Sequence, residues 1–145
     1  LRSFILNAGG NVRAGGAPLD GRASWSVGLQ DPDGDESSYF AVVEVCDRAV
    51  VTSGDYQRYF TLSGVRYAHI ISPETLAPAI ENRSVSIICE SSTLADWLST
   101  ALFILPQPQG EKLLADFPGV EAVWVTAGGD TVFSSGAKAM LRGAE

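Results

Sequence analysis

The sequence predicts an α+β domain, mostly antiparallel sheet with one major helix. Three observations predict it. Short apolar or alternating runs recur along the chain, divided by Gly, Asp and Asn. One stretch, 93–105, instead repeats its apolar residues at three- and four-residue spacing. With 145 residues, 46% hydrophobic and 19% charged, the chain can bury one real core. That composition excludes a disordered tail and a disulfide-stapled miniprotein. No repeat, low-complexity tract or linker divides it, so 1–145 reads as one unit.

The elements follow in order. Residues 2–7 form an apolar strand ending in the turn cluster Asn7-Ala8-Gly9-Gly10-Asn11. Within 23–30, strict alternation puts Trp25, Val27 and Leu29 on one face of a strand. Asp31-Pro32-Asp33-Gly34-Asp35 is a turn by composition. Strands are expected at 39–46 and 48–52, broken by Ser53-Gly54-Asp55. A strand pair, 56–60 and 65–71, turns about Ser63-Gly64, and 84–89 is a further strand. The major helix carries Leu94, Leu98, Ala101, Leu102 and Leu105, with Pro106 and Pro108 closing it. A short helix at about 110–116 ends before Pro118-Gly119. Strands at 120–126 and 131–135 flank the hairpin turn Ala127-Gly128-Gly129-Asp130.

Composition also removes function classes. Ten Lys+Arg against seventeen Asp+Glu give a net charge of −7, which argues against a nucleic-acid partner. The single histidine, His69, rules out a site of several imidazoles. Cys46 and Cys89 form no CxxC pair and are expected as buried thiols. No run reaches the ~18–20 apolar residues of a membrane span, and no signal peptide is recognisable. The opening Leu1-Arg2-Ser3-Phe4-Ile5-Leu6 reads as a strand with no initiator Met, as if cut from something longer.

Four segments concentrate residues that can do chemistry. Adjacent Gly9 and Gly10 let backbone N–H groups approach a phosphate, and they equally make a tight turn. Thr52-Ser53-Gly54-Asp55-Tyr56 sets small hydroxyls beside a glycine; it fits a pyrophosphate cradle, and on spacing alone an ordinary turn fits better. His69, at the end of an apolar strand, can act as a general base near neutral pH or simply be hydrogen-bonded. Asp96 and Thr100 lie one helical turn apart, and their oxygens suit Mg²⁺, a hard cation that retains waters. Thr93-x-x-Asp96 also has the spacing of a capping box. Spacing does not separate these alternatives.

Taken in order, these segments resemble the FAD:protein FMN transferases, the ApbE-type flavinyltransferases. The resemblance rests on Asn-Ala-Gly-Gly-Asn-Val-Arg (7–13), Trp-Ser-Val-Gly-Leu-Gln-Asp-Pro (25–32) and Thr-Ser-Gly-Asp-Tyr-Gln-Arg-Tyr-Phe (52–60). It continues through Arg-Tyr-Ala-His-Ile-Ile-Ser-Pro (66–73) and Leu-Ala-Asp-Trp-Leu-Ser-Thr-Ala-Leu-Phe (94–103). It covers nearly the whole chain, and only the C-terminal part of that family's unit.

The resemblance implies cleavage of the FAD pyrophosphate, transfer of FMN to a Thr or Ser hydroxyl of a target protein, and release of AMP. It implies Mg²⁺ at Asp96 and Thr100, and His69 as the catalytic base. Asn7, Gly9, Gly10, Ser53, Gly54 and Asp55 would line the FAD cleft. It further implies a parent protein that is extracytoplasmic and membrane-anchored. Two departures stand out. Ser72 replaces the Asp usual after His-Ile-Ile, and Ala68 replaces a residue that is often a second His. The family's N-terminal half, which contributes much of the FAD site and another metal contact, is expected to be absent here. The fragment alone is therefore expected to be inactive. A non-catalytic FAD-binding module and an FAD pyrophosphatase giving FMN and AMP are the alternative readings.

Overall fold

The first hairpin pairs β1 (Phe4–Ala8) with β2 (Asn11–Gly15) through a turn of two residues, Gly9 and Gly10. Their φ angles, +65° and +93°, suit the primed turns that match strand twist. The turn is therefore shorter than the cluster 7–11. Asn7 and Ala8 pair with Val12 and Asn11 inside the ladder, and 11–15 is a strand the sequence reading missed. The computed structural model describes residues 1–35 and 37–143.

Next come β3 (Trp25–Gln30), β4 (Tyr39–Val45), β5 (Ala49–Gly54), β6 (Tyr59–Leu62) and β7 (Val65–Ala68). Then follow β8 (Asn82–Cys89), α1 (Ser92–Ile104), α2 (Gln107–Leu114), β9 (Glu121–Thr126), β10 (Thr131–Phe133) and α3 (Ser135–Ala139). Six strands form one sheet in the order β1-β2-β5-β8-β9-β10, with every neighbouring pair antiparallel. The pairs β3-β4 and β6-β7 stand apart as two-stranded ribbons.

The six-stranded sheet is covered on both faces, and strand alternation divides its residues between them. Val51, Val85, Ile87 and Trp124 pack with Ala95, Leu98, Leu102 and Phe103 of α1. Val50, Ile88 and Val123 face the other way, onto Val27, Leu29, Val43 and Val45 of β3-β4 and Ala137 of α3. Helix, sheet and ribbon thus make three layers with two cores. The α+β reading, mostly antiparallel with one major helix, describes this architecture.

Several local expectations need correcting. Ser53 and Gly54 are not a turn; they end β5 in register with Val85 and Ser84 of β8. A Cβ at Gly54 would lie 2.5 Å from a ring carbon of Tyr56, so glycine makes room for that ring. The short helix begins at Gln107, because Pro108 sits in its first turn, where a missing N–H costs nothing. Residues 134–135 leave β10 to start α3, which the sequence reading did not anticipate. Cys89 is buried as expected, but Cys46 is exposed, and both are free thiols.

The major helix starts one residue earlier than expected. Its N-cap is Ser91, whose side chain accepts from Leu94 N–H at 3.2 Å. The capping-box reading of Thr93 and Asp96 is therefore replaced: Asp96 lies in the second turn. At the other end, the buried Asn82 amide donates to the carbonyls of Leu102, Phe103 and Leu105, so β8 supplies the cap that α1 lacks in itself.

Candidate active site

Four segments reach a single cleft of about 450 Å³. It is lined by the Gly9-Gly10 turn and Asn11, by Ser53 at the end of β5, by Asp96 and Thr100 of α1, and by Gln57, Arg58 and His69. Each is delivered by the fold. The β1-β2 turn is tied to α1 because Ser92 Oγ donates to Asn11 Oδ1 at 2.6 Å. Pairing of β5 with β8 carries Ser53 under α1, where its hydroxyl meets Ser99 Oγ at 2.9 Å and Thr100 Oγ1 at 3.3 Å.

The α1 pair points outward, because Leu98, Ser99 and Leu102 turn the opposite side of the helix to the core. The Asp96 side chain has no hydrogen-bond or ion-pair partner among the described residues, so its carboxylate is uncommitted. Thr100 Oγ1 lies 3.4 Å from the Asp96 carbonyl, which orients that hydroxyl along the helix. Among the described residues no three His, Cys, Asp or Glu side chains cluster to hold a metal. One free carboxylate and neighbouring hydroxyls fit Mg²⁺, which keeps several waters and commonly takes its other oxygens from a substrate phosphate.

His69 is exposed at the cleft. Its Nδ1 lies 3.1 Å from the Arg58 carbonyl and its Nε2 3.1 Å from the Arg58 guanidinium. Ser72 makes no such contact. Its hydroxyl accepts from Glu74 N–H, and its own N–H donates to the Ala77 carbonyl, bracing the 72–77 turn.

Three other residues of the motifs lie outside the cleft lining. Asn7 Oδ1 accepts from Gly10 N–H at 3.2 Å, holding the turn from behind. Gly54 accommodates Tyr56. Asp55 accepts from Arg83 Nε at 2.7 Å and from Arg66 Nη1 at 3.2 Å, and Arg83 continues to Asp33 at 2.8 Å. That carboxylate braces β5 against β7, β8 and the 31–35 turn. Burial, helped by the Asp55 charge, pushes the Tyr56 phenol up to about 12.

Asn11, Gln57 and Arg58 were not singled out from the sequence. For Arg58 the signal was available: counting outward from the Ser63-Gly64 turn sets it opposite His69. A second cavity of about 430 Å³, lined largely by Pro73, Ala77, Pro78, Ala79, Ile80 and Leu105, shares Ile104 with the first.

Residues 1–124 match the family model described as the ApbE family. A FAD:protein FMN transferase of Treponema pallidum is 43% identical over 133 residues, covering 86% of this chain and 37% of the relative. That of Vibrio cholerae is 38% identical over 112 residues, 76% of this chain and 33% of the relative. Among solved structures, the ApbE protein of Thermotoga maritima superposes with a TM-score of 0.85 at 41% identity. It is matched over 97% of this chain and 45% of its own. The flavin transferase ApbE of Vibrio cholerae gives 0.78 at 28% identity, with the same coverage. This chain therefore spans about a third to just under half of the length of these relatives. Sequence and three-dimensional likeness agree, and the chain belongs to the ApbE family.

Proposed function

We propose that this chain is the C-terminal portion of an FAD:protein FMN transferase that moves FMN from FAD to a Thr or Ser hydroxyl of a target protein, releasing AMP. The observation that carries the reading is the convergence of Gly9-Gly10, Ser53, His69, Asp96 and Thr100 on one cleft. The parent protein would add an N-terminal half that completes the FAD site.

In this reading the pyrophosphate lies in the polar cleft, beside the Gly9-Gly10 turn. Open space around Gly9 permits close approach of an anion to the backbone. The second, apolar cavity beyond Ile104 suits a flat ring at one end of the dinucleotide. Asp96 and Thr100 would hold Mg²⁺, which when bound neutralises phosphate charge as the oxygen attacks in line. His69 takes the proton of the acceptor hydroxyl. The acceptor oxygen bonds to the phosphorus on the FMN side, and the P–O bond to AMP breaks. Asn7 and Asp55 act indirectly, by fixing the turn and the end of β5.

The parent is further proposed to work on the outer side of a membrane to which it is anchored. No helix of the described residues is long and apolar enough to cross one.

The deciding experiment incubates the full-length parent with FAD, Mg²⁺ and a Thr-bearing acceptor protein. Fluorescent acceptor on a denaturing gel, with AMP in solution, is the expected result. Free FMN with unlabelled acceptor would make the protein a pyrophosphatase, and bound but intact FAD would make it a binding module.

A further inference from the structure

Arg58 makes two bonds to one imidazole. Its carbonyl lies 3.1 Å from His69 Nδ1, and its Nη2 lies 3.1 Å from His69 Nε2. A guanidinium only donates and a carbonyl only accepts. The two bonds together fix the ring: Nδ1 carries the hydrogen, and Nε2 is an unprotonated acceptor. The hairpin produces this arrangement. The β6-β7 register, continued one pair beyond Tyr59 and Ala68, sets Arg58 directly opposite His69, and His69 N–H donates to the same carbonyl.

In that state the ring's lone pair is occupied, and a base so held cannot accept a proton. Yet Arg58 has no carboxylate partner among the described residues, and it lines the same cleft as Gly9, Gly10 and Asp96. Its side chain is exposed, so leaving His69 buries no unpaired charge. A phosphate offers a guanidinium paired, charge-assisted bonds, which are stronger than one bond to a neutral ring.

We infer that Arg58 is a positioning residue that orients and masks His69, and that a phosphate group entering the cleft draws its guanidinium off Nε2. The carbonyl keeps its hold on Nδ1–H throughout. A proton then accepted at Nε2 gives an imidazolium still oriented by that carbonyl. The inference rests on the flavin-transfer reading only in treating His69 as the base; the state of the ring does not depend on it.

His69 is the sole histidine, so imidazole ¹⁵N NMR of this chain sees one ring. With the ring neutral, the hydrogen is expected on Nδ1. Inorganic pyrophosphate should move Nε2 toward an unbonded lone pair while leaving Nδ1 in place. In Arg58→Met, Nε2 should begin at that position and no longer respond; Arg58→Lys should restore part of the masking. Circular dichroism checks that all three proteins are folded. A hydrogen on Nε2, an Nε2 signal unchanged in Arg58→Met, or a pyrophosphate response that is absent or equal in Arg58→Met would overturn the inference. A failed acceptor-labelling assay would leave these signals untouched, so the two readings fail separately.

Discussion

Ser53 Oγ stands 3.3 Å from Thr100 Oγ1, although 47 residues of sequence separate them. The contact fixes the α1 hydroxyl over the end of β5, with Ser99 Oγ a further 2.9 Å partner of the same serine. Thr100→Val keeps the shape and removes the oxygen. It should cost about 1 kcal/mol of stability in urea unfolding and raise the Mg²⁺ concentration that transfer in the parent requires. Thr100→Ser should keep both stability and Mg²⁺ requirement near those of the wild type.

Asp96 and Ser91 should separate cleanly. Asp96 carries no side-chain partner among the described residues, so Asp96→Asn should leave stability within about 0.5 kcal/mol while abolishing Mg²⁺-dependent transfer in the parent. Ser91→Ala removes the N-cap of α1 and should cost about 1 kcal/mol with transfer preserved. Thermal melts of both variants, with AMP release measured on the same substitutions in the full-length parent, check this pair; the reverse pattern would return Asp96 to a capping role.

His69→Ala in the parent should slow transfer by about 10²–10⁴-fold at saturating FAD, the usual range for a general base. FAD affinity, read by fluorescence titration, should barely move. Lost binding with normal turnover would assign His69 to the ligand rather than to the proton.

Tyr56 makes stability depend on alkaline pH. Its phenol is pushed from 10.0 up to about 12, so folding favours the neutral form. The stabilisation is complete below the unfolded value and is lost as pH rises through 10 to 12. The loss should be on the order of 1–2 kcal/mol, allowing for the ring's partial exposure. Urea unfolding across that range should show this slope in the wild type and its reduction in Tyr56→Phe.

Much of this was legible in the sequence, for physical reasons that differ between residues. Alternation at Trp25, Val27 and Leu29 revealed β3 because one face of that ribbon is buried. The α1 period revealed the helix, though its buried face is centred on Ala95, Leu98, Leu102 and Phe103 rather than on Leu94, Ala101 and Leu105. The strand β2 stayed hidden because its residues, Asn-Val-Arg-Ala-Gly, alternate weakly and follow a glycine pair. Ser53 and Gly54 have turn chemistry by composition, yet β8 pairing keeps both in β5, and the turn begins only at Asp55. The resemblance set Asp55 beside the FAD cleft, whereas the fold also ties its carboxylate to two arginines. Its partners Arg66 and Arg83 lie 11 and 28 residues away, so only the folded chain reveals them.

The two sides of the cleft differ in how far along the chain their partners lie. His69 and Arg58 belong to one hairpin, 11 residues apart, with β6 exposed along its length. Ser53 and Thr100 meet only when β5, β8 and α1 have docked. Amide hydrogens of β6-β7 should therefore exchange through local opening, while those of β5 and β8 wait for global unfolding. A cosolvent that frays the hairpin would disarm the imidazole while the α1 carboxylate stays in place. Under the proposed flavin transfer, loss of activity in the parent protein would then precede, and recover independently of, loss of this core.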